Sequence, residues 1–334
     1  MDSTLTISVD VTRQCNLRCR HCFNYSGDAF FRPELSDAGL EAVAEQVLDT
    51  PASSVCLCGG EPLLRKEIVF RMVETMRRGA STVNLTSNGI LLDSACAETL
   101  KKVGVYNVQI SLDGDRVAHN WLRDSANAYD SAISAICNLI NAGVQVGVAC
   151  TPTKKNIGCI PKLIDQLNEI GVTLLRMQPI MVLGRAKMIG SYYLSTEEYL
   201  QLSLDLTRKT KKGRMEIEWG DATQHLFYLG SGKRSKILCI NAYGDILLSP
   251  YVPVSFGNVM NHALSDYIEH GILDVCKNNS VLQRLYEKAG YSLENINYYS
   301  GLPELYKEEM LTIDCMDDNV EDSLGKIQVR GASR

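Results

Sequence analysis

No run of about 20 apolar residues occurs anywhere in the 334-residue chain, which excludes a membrane-spanning helix. The first ten residues, Met1 to Asp10, lack both the basic start and the apolar stretch of a secretory signal. Positive charge is not in excess either: 34 Lys and Arg against 39 Asp and Glu give a formal net charge of -5, with the signs mixed along the sequence. Nothing here offers a basic face to nucleic-acid phosphates. No segment repeats at a solenoid period of roughly 20 to 50 residues. The expected location is the cytoplasm, with neither membrane nor nucleic acid as a partner.

What the chain does have is an ordinary globular balance, 45% hydrophobic and 22% charged, and an unusual number of cysteines, 12. Thiols stay reduced in the cytoplasm, so disulfides do not account for them and metal ligation must account for some. Cys96 and Cys137 fall within helical patterns, and Cys56 and Cys150 within apolar strand-like runs. These four are expected to be small buried hydrophobes.

Short apolar runs alternate with amphipathic stretches of roughly 10 to 15 residues, the pattern of strand-helix units around a parallel sheet. Six strands are expected at Leu5 to Val11, Ser54 to Cys58, Thr82 to Thr86, Asn107 to Leu112, Gln145 to Thr151 and Thr173 to Met177, all rich in Val, Ile, Leu or Thr. Helices are expected from Ser36, from the Asp93-Ser94 opening, and over Tyr129 to Ala142, where Gly143 follows as a stop. The fold class is therefore α/β, a partial (βα)6 TIM-type barrel over residues 1–183, with its chemistry at the C-terminal strand ends. After Leu183 the rhythm breaks. A polar helix, Ser195 to Lys212, precedes strand candidates at Met215 to Trp219, Ile237 to Ile240 and Asp245 to Leu248, so residues 184–334 are expected to form a smaller α+β module with a helical tail.

At the end of the first strand the sequence reads Cys15-Asn16-Leu17-Arg18-Cys19-Arg20-His21-Cys22, a C-x3-C-x2-C spacing. Three thiolates on one short loop can hold three corners of an iron-sulfur cubane and leave the fourth iron open to a non-protein ligand. A structural zinc site is the competing reading, but zinc elements usually come as paired C-x2-4-C units, and only Cys19 and Cys22 resemble half of one. After the second strand comes Cys58-Gly59-Gly60-Glu61-Pro62-Leu63, whose two glycines let a backbone approach closely and expose peptide groups.

In these two elements the chain resembles the radical S-adenosylmethionine (SAM) superfamily, with its three-cysteine loop and GGEP-type turn. The resemblance implies Cys15, Cys19 and Cys22 as ligands of a [4Fe-4S] cluster. It implies SAM contacts at Gly59, Gly60, Glu61 and Pro62, at Ser87 and Asn88 after strand three, and at Ser111 and Asp113 after strand four. Arg123 is similar to the arginine that clamps the SAM carboxylate. His21 holds the position where the family packs adenine, and Met177, with Gln178 and Pro179, is expected to close the adenine side.

Leu183-Gly184-Arg185-Ala186, Cys239-x4-Gly244-x4-Ser249 and Phe256-Gly257-Asn258-Val259 are similar to the SPASM or twitch extension, which carries auxiliary clusters in peptide-modifying relatives. Ser249 stands where that extension has a cysteine. Cys239, Cys276 and Cys315, with Cys159 as an outlier, could hold one auxiliary iron-sulfur cluster, or the cluster is lost. A third alternative makes Cys239 a catalytic hydrogen-atom donor, or leaves it a buried structural thiol.

The resemblance implies an enzyme that cleaves SAM reductively to a 5′-deoxyadenosyl radical and takes a hydrogen atom from a peptide, leading to epimerisation or a thioether or carbon-carbon crosslink. Because the cysteine loop begins at residue 15, no leader-recognition domain is expected ahead of it. The alternative substrate is a carbohydrate or aminoglycoside-like small molecule. A non-enzymatic zinc or iron-sulfur binding protein is the distant alternative. The expected partners are the substrate and an external one-electron donor such as flavodoxin or ferredoxin.

Overall fold

The structure is a computed structural model that describes residues 5–28, 32–210, 215–220, 223–291, 299–300, 302–303, 305, 307–316 and 328–329. Six strands follow one another in space as in sequence, each paired in parallel with the next: β1 (Leu5–Asp10), β2 (Ala52–Cys58), β3 (Thr82–Ser87), β4 (Asn107–Ser111), β5 (Gln145–Cys150) and β6 (Leu174–Met177). These are the expected strands, shifted by a residue or two at their ends. Helices α1 (Asp37–Leu48), α2 (Lys66–Met76), α3 (Ser94–Val103), α4 (Arg116–Arg123), α5 (Ala128–Asn141) and α6 (Ile160–Ile170) lie between them in the chain.

Side-chain alternation explains how the sheet divides inside from outside. Leu5, Ile7 and Val9 of β1, Val55 and Leu57 of β2, and Val83 and Leu85 of β3 are buried in one apolar core with Val43 and Val47 of α1 and Met72, Val73 and Met76 of α2. Each such side chain contributes about 1.5 to 3 kcal/mol by leaving water. The residues between them face a central cavity: Ser8 and Asp10, Cys56 and Cys58, Thr86, Gln109 and Ser111 all line it. The apolar layer thus lies between sheet and helices, and the barrel interior holds a cavity that these polar and thiol side chains line together with apolar ones.

Helix starts are set by the caps the sequence offers. Ser36 Oγ accepts from Gly39 N at 3.1 Å, as expected. For α3 the cap is Asp93 rather than Ser94, its carboxylate accepting from Cys96 N at 2.8 Å. Such a cap stabilises a helix by about 1 kcal/mol. Gly143, just past the end of α5, has a φ of 73°, a left-handed position that suits glycine.

The strand candidates beyond Leu183 extend this same sheet instead of building another. After α7 (Thr196–Thr210), β7 (Glu216–Trp219) pairs in parallel with β6, and at the other edge β8 (Ile237–Ile240) pairs in parallel with β1. β9 (Ile246–Leu247) then pairs antiparallel with β8. A six-stranded open sheet leaves a row of unpaired backbone groups at each edge, and these later strands satisfy them. The order is β7-β6-β5-β4-β3-β2-β1-β8-β9. The expected helix end at Lys212 and the tail beyond residue 330 lie outside the described residues. Among the described residues, no helix is long and apolar enough to cross a membrane.

Candidate functional site

The cysteine loop follows β1 and is fastened from three sides. From the glycine turn after β2, Gly60 N donates to Thr12 O at 2.7 Å and Glu61 N to Gln14 O at 2.8 Å. From the end of α4, Leu122 O accepts from Arg20 N at 2.8 Å. From the segment after β6, Arg185 N donates to Cys22 O at 2.8 Å and Arg185 Nε to Cys19 O at 2.9 Å. Arg185 is buried, and its guanidinium also reaches Ser26 O and the Asp28 carboxylate.

The two glycines serve this fastening. A Cβ on Gly59 would collide with Thr12 O, and one on Gly60 with Gln14 O. What approaches them closely is the cysteine loop itself. Gly184, at φ 57°, is packed in the same way against the carbonyls of Cys22 and Phe23.

Cys15, Cys19 and Cys22 all open onto the central cavity of about 550 Å³, where Gly59, Gly60, Ser87, Asn88, Ser111, Arg123 and His21 also sit. Leu17 N points at the Cys15 sulfur at 3.4 Å, Asn88 Nδ2 at the same sulfur at 3.9 Å, and Arg123 Nη1 at the Cys19 sulfur at 3.8 Å. Burial pushes the Cys15 thiol up to about 11, with Cys19 and Cys22 adding to the rise, and burial raises Cys19 against the opposing charge of Arg123. Among the described residues, no three His, Cys, Asp or Glu side chains focus on a single-ion site. All three sulfurs open onto the cavity, with N–H donors aimed at Cys15 and Cys19, and three thiolates from one loop can hold three corners of a cubane and leave the fourth open.

Arg123 reaches the cavity because Asp113 holds it. Its Nε donates to Asp113 Oδ2 at 2.7 Å, while Asp113 Oδ1 accepts from Thr151 N at 2.9 Å. Asp113 is completely buried behind the arginine and does not line the cavity. Burial would raise its pKa, yet the Arg123 guanidinium and His119 hold the carboxyl well below the usual range. Glu61 is likewise enclosed, accepting from Leu63 N at 3.1 Å, Ser87 Oγ at 2.9 Å and Asn88 N at 2.8 Å. Sequence reasoning expected SAM contacts at both carboxylates. Both carboxylates carry hydrogen bonds within the protein, which position Arg123 and the Ser87-Asn88 strand end.

Pro62 opens the short 3-10 turn after Glu61, outside the cavity lining. Met177 is fully buried in the apolar core, on the outer face of β6, so the cavity wall at this point is Gln178, Pro179, Ile180 and Met181. His21 lines the cavity with its Nδ1 buried and lacking a hydrogen-bond partner among the described residues. Burial, reinforced by Arg123, lowers its pKa to about 4, so the ring is neutral.

The remaining cysteines separate. Cys96 and Cys150 are core residues and Cys137 is half-buried. Cys56, expected in the core, instead faces the cavity, because alternation along Val55, Cys56, Leu57 and Cys58 sends the two thiols inward. Cys239 lines the cavity from β8 and is pushed up to about 12 by burial. Cys276 and Cys315 lie in the apolar core, where burial raises both, with the charge of Asp314 adding to the rise at Cys315. Cys159 accepts from Asp115 N at 3.3 Å, at the start of α6. Among the described residues, no other thiol contributes to the raised titration of Cys276 or Cys315, unlike the cysteines of the loop. Ser249 is buried and bonded at 2.8 Å to His225 Nε2. Sequence reasoning missed Ser8, Asp10, Gln109 and Arg176 on the cavity wall. Their signal was polar residues at every second position of strands that are buried on their other face.

The sequence profile of the Radical SAM superfamily matches residues 9–169. Fe-coproporphyrin III synthase of Methanosarcina barkeri is 32% identical over 203 residues, 60% of this chain and 51% of that protein. Mycofactocin maturase MftC of Mycobacterium tuberculosis is 25% identical over 301 residues, 86% of this chain and 74% of that one. The chain spans about half the length of the first curated relatives it matches. In fold it is similar to Streptococcus suis SuiB bound to precursor peptide SuiA, with a TM-score of 0.67 at 17% identity, over 83% of this chain and 67% of that one. The profile falls on the strands and loops that gather the three cysteines, the glycine turn and Arg123 around one cavity: residues 9–169 form a radical SAM domain, of the superfamily whose enzymes use a [4Fe-4S] cluster and S-adenosylmethionine.

Proposed function

We propose that this chain binds SAM at the cavity mouth, cleaves it reductively, and takes a hydrogen atom from one residue of a peptide. The outcome is epimerisation or a thioether or carbon-carbon crosslink. One observation carries the reading: the three loop thiols and Arg123 open onto the same cavity, which Ser8, Asp10, Gln109 and Ser111 also line. When bound, the cluster and SAM supply a 5′-deoxyadenosyl radical.

The chain's own residues do the rest. Cys15, Cys19 and Cys22 would hold the cluster. Arg123, braced by Asp113, offers a guanidinium to a carboxylate. Ser87, Asn88 and Ser111 present polar groups along the strand ends, and neutral His21 offers a flat face without competing charge. The walls exclude water from a reactive carbon radical. The open interior leaves room for a substrate side chain, and the segment 184–334 would shape its entry as a SPASM- or twitch-like module. An external one-electron donor of the flavodoxin or ferredoxin class starts each turnover.

The likenesses to MftC and to SuiB support a peptide substrate. A tetrapyrrole side chain is a second reading, favoured by the 32% identity to Fe-coproporphyrin III synthase. The deciding experiment is anaerobic reconstitution with iron and sulfide, then dithionite and SAM, reading 5′-deoxyadenosine by chromatography. We expect deoxyadenosine from the parent and none from Cys15→Ala, Cys19→Ala or Cys22→Ala. A cluster-loaded parent that makes none overturns the proposal. Faster formation with a tetrapyrrole than with any peptide moves the substrate to the second reading.

A further inference from the structure

Two of the elements that clasp the cysteine loop meet again on the outside of the molecule. Helix α4 gives Leu122 O to the loop, and the turn Gly184–Tyr192 gives Arg185. On their outer side Trp121 of α4 and Tyr192 of the turn pack together, with ring centroids 4.4 Å apart. Val117, one helical turn before Trp121, is 70% exposed, and Met188 of the turn is 72% exposed. Large apolar side chains this exposed, beside an aromatic pair and rimmed by charge, mark an interaction site.

The rim is positive. Arg20, the residue after Cys19, holds its guanidinium 5.3 Å from the centre of the Trp121 ring, and its Nε donates to Trp121 O at 2.9 Å. Lys155 Nζ lies 5.7 Å from the same ring. With Lys154 and Lys162 it lines an exposed hollow whose one carboxylate, among the described residues, is Asp115. That carboxylate caps α4, accepting from Ala118 N at 2.9 Å. None of these lysines lines the central cavity. In a chain of formal net charge -5 they form a local excess of the opposite sign.

We propose that this face, centred on Trp121 and Tyr192 and rimmed by Arg20 and the three lysines, docks the reduced one-electron carrier, a protein acidic around its redox group. This rests on the radical SAM reading above and deepens it. An acidic protein is repelled by a chain of net negative charge except where cations are gathered, so the lysines fix both partner and orientation. The aromatic pair supplies the contact area that charges lack. Position matters equally: Arg20 is covalently next to Cys19, and Arg123, two residues beyond Trp121, reaches the Cys19 sulfur from the cavity side at 3.8 Å. A carrier seated here stands against the outside of the segment whose inside would hold the cluster. One electron leaves the reduced carrier, enters the cluster and breaks the carbon-sulfur bond of the SAM sulfonium, giving methionine and the 5′-deoxyadenosyl radical. The carrier departs oxidised by one electron.

The test uses the reconstituted full chain and an acidic flavodoxin. With the oxidised carrier, hydrogen exchange should slow over α4 and residues 184–192, and calorimetry should show binding that weakens as salt rises from about 50 to 500 mM. Lys154→Glu/Lys155→Glu/Lys162→Glu should bind about tenfold more weakly or worse. At limiting reduced flavodoxin, that variant and Met188→Glu should each form 5′-deoxyadenosine about tenfold more slowly. Dithionite, a small reductant that needs no docking, should drive both at the parent rate. Protection confined to other surfaces, undiminished flavodoxin affinity in the charge-reversed variant, or an equal loss with both reductants overturns the inference and leaves SAM cleavage standing. So does a parent dimer that Met188→Glu dissociates, which would give the face to a second copy. No deoxyadenosine from the cluster-loaded parent with dithionite overturns the radical SAM reading and the inference with it.

Discussion

Arg123 Nε lies 2.7 Å from the carboxylate of Asp113, and Asp113 has no exposure to solvent. An arginine at a cavity wall is therefore tethered from behind by a buried anion. Because the pKa of Asp113 is depressed, the stability it contributes is present above its ordinary 3.8 and is lost only as pH falls through the lower folded value. Asp113→Asn breaks the pair near neutrality, at a cost of about 3 kcal/mol in unfolding free energy, and should weaken SAM binding about tenfold or more. Urea unfolding and calorimetric titration with SAM measure the two effects. Unaltered SAM affinity would show that Arg123 does not need the tether.

Glu61 titrates in the opposite sense. Burial raises it from 4.5 to about 7, against the hydrogen bonds from Asn88, Ser87 and Leu63. A raised carboxyl stabilises the fold fully below its ordinary value, and that contribution is lost as pH rises through about 7, on the order of 3 kcal/mol in all. Asp10, also raised to about 7 by burial, shares the window. Glu61→Gln should accordingly flatten the fall of stability between about pH 4.5 and 7 without abolishing it. Denaturant unfolding at a series of pH values reads the slope, and an unchanged slope would refute the assignment.

Gly60→Ala should displace the cysteine loop, since its new methyl group overlaps Gln14 O. The expected result is a loss of iron after reconstitution together with a lower melting temperature, by several degrees. Full iron retention would mean that the turn can shift without disturbing the ligands.

Arg185→Lys tests the other clasp. Lysine keeps the charge beside Asp28 but cannot hold Cys19 O and Ser26 O at once. Iron content should fall with the far-ultraviolet dichroism preserved. A variant as rich in iron as the parent would remove Arg185 from the list of positioning residues.

Cys276→Ser and Cys315→Ser should leave iron at about four atoms per chain, because neither thiol meets another. A drop of about four from a parent value near eight would establish an auxiliary cluster after all.

The strands were legible because Val, Ile and Leu recur at alternate positions between glycine and helix signals, and the cysteine loop was legible from spacing alone. The direction in which polar residues act was not. Asp113, Glu61 and Met177 stand at the strand ends or loops where ligand contacts are expected, yet a sequence does not say whether a carboxylate faces a ligand or a neighbouring N–H. Cys56 and Cys58 were hidden for a related reason: a run such as Val55-Cys56-Leu57 looks uniformly apolar until strand register turns every second residue inward. The edge placement of β7 and β8 depended on pairing between segments far apart in the chain, which local patterns do not encode.

Among the described residues, β7 and β9 end the sheet at opposite edges without pairing to one another. The barrel is thus a split cylinder. A reaction chamber of that shape does not have to swallow its client whole: one side chain can be presented through the seam while the remainder of a long molecule stays in water. Glu216 to Trp219 of β7 form one margin of the split, whereas β9 is covered on its far side, where Ile246 N donates to Gly257 O at 2.9 Å and Phe256 N to Ile246 O at 2.8 Å.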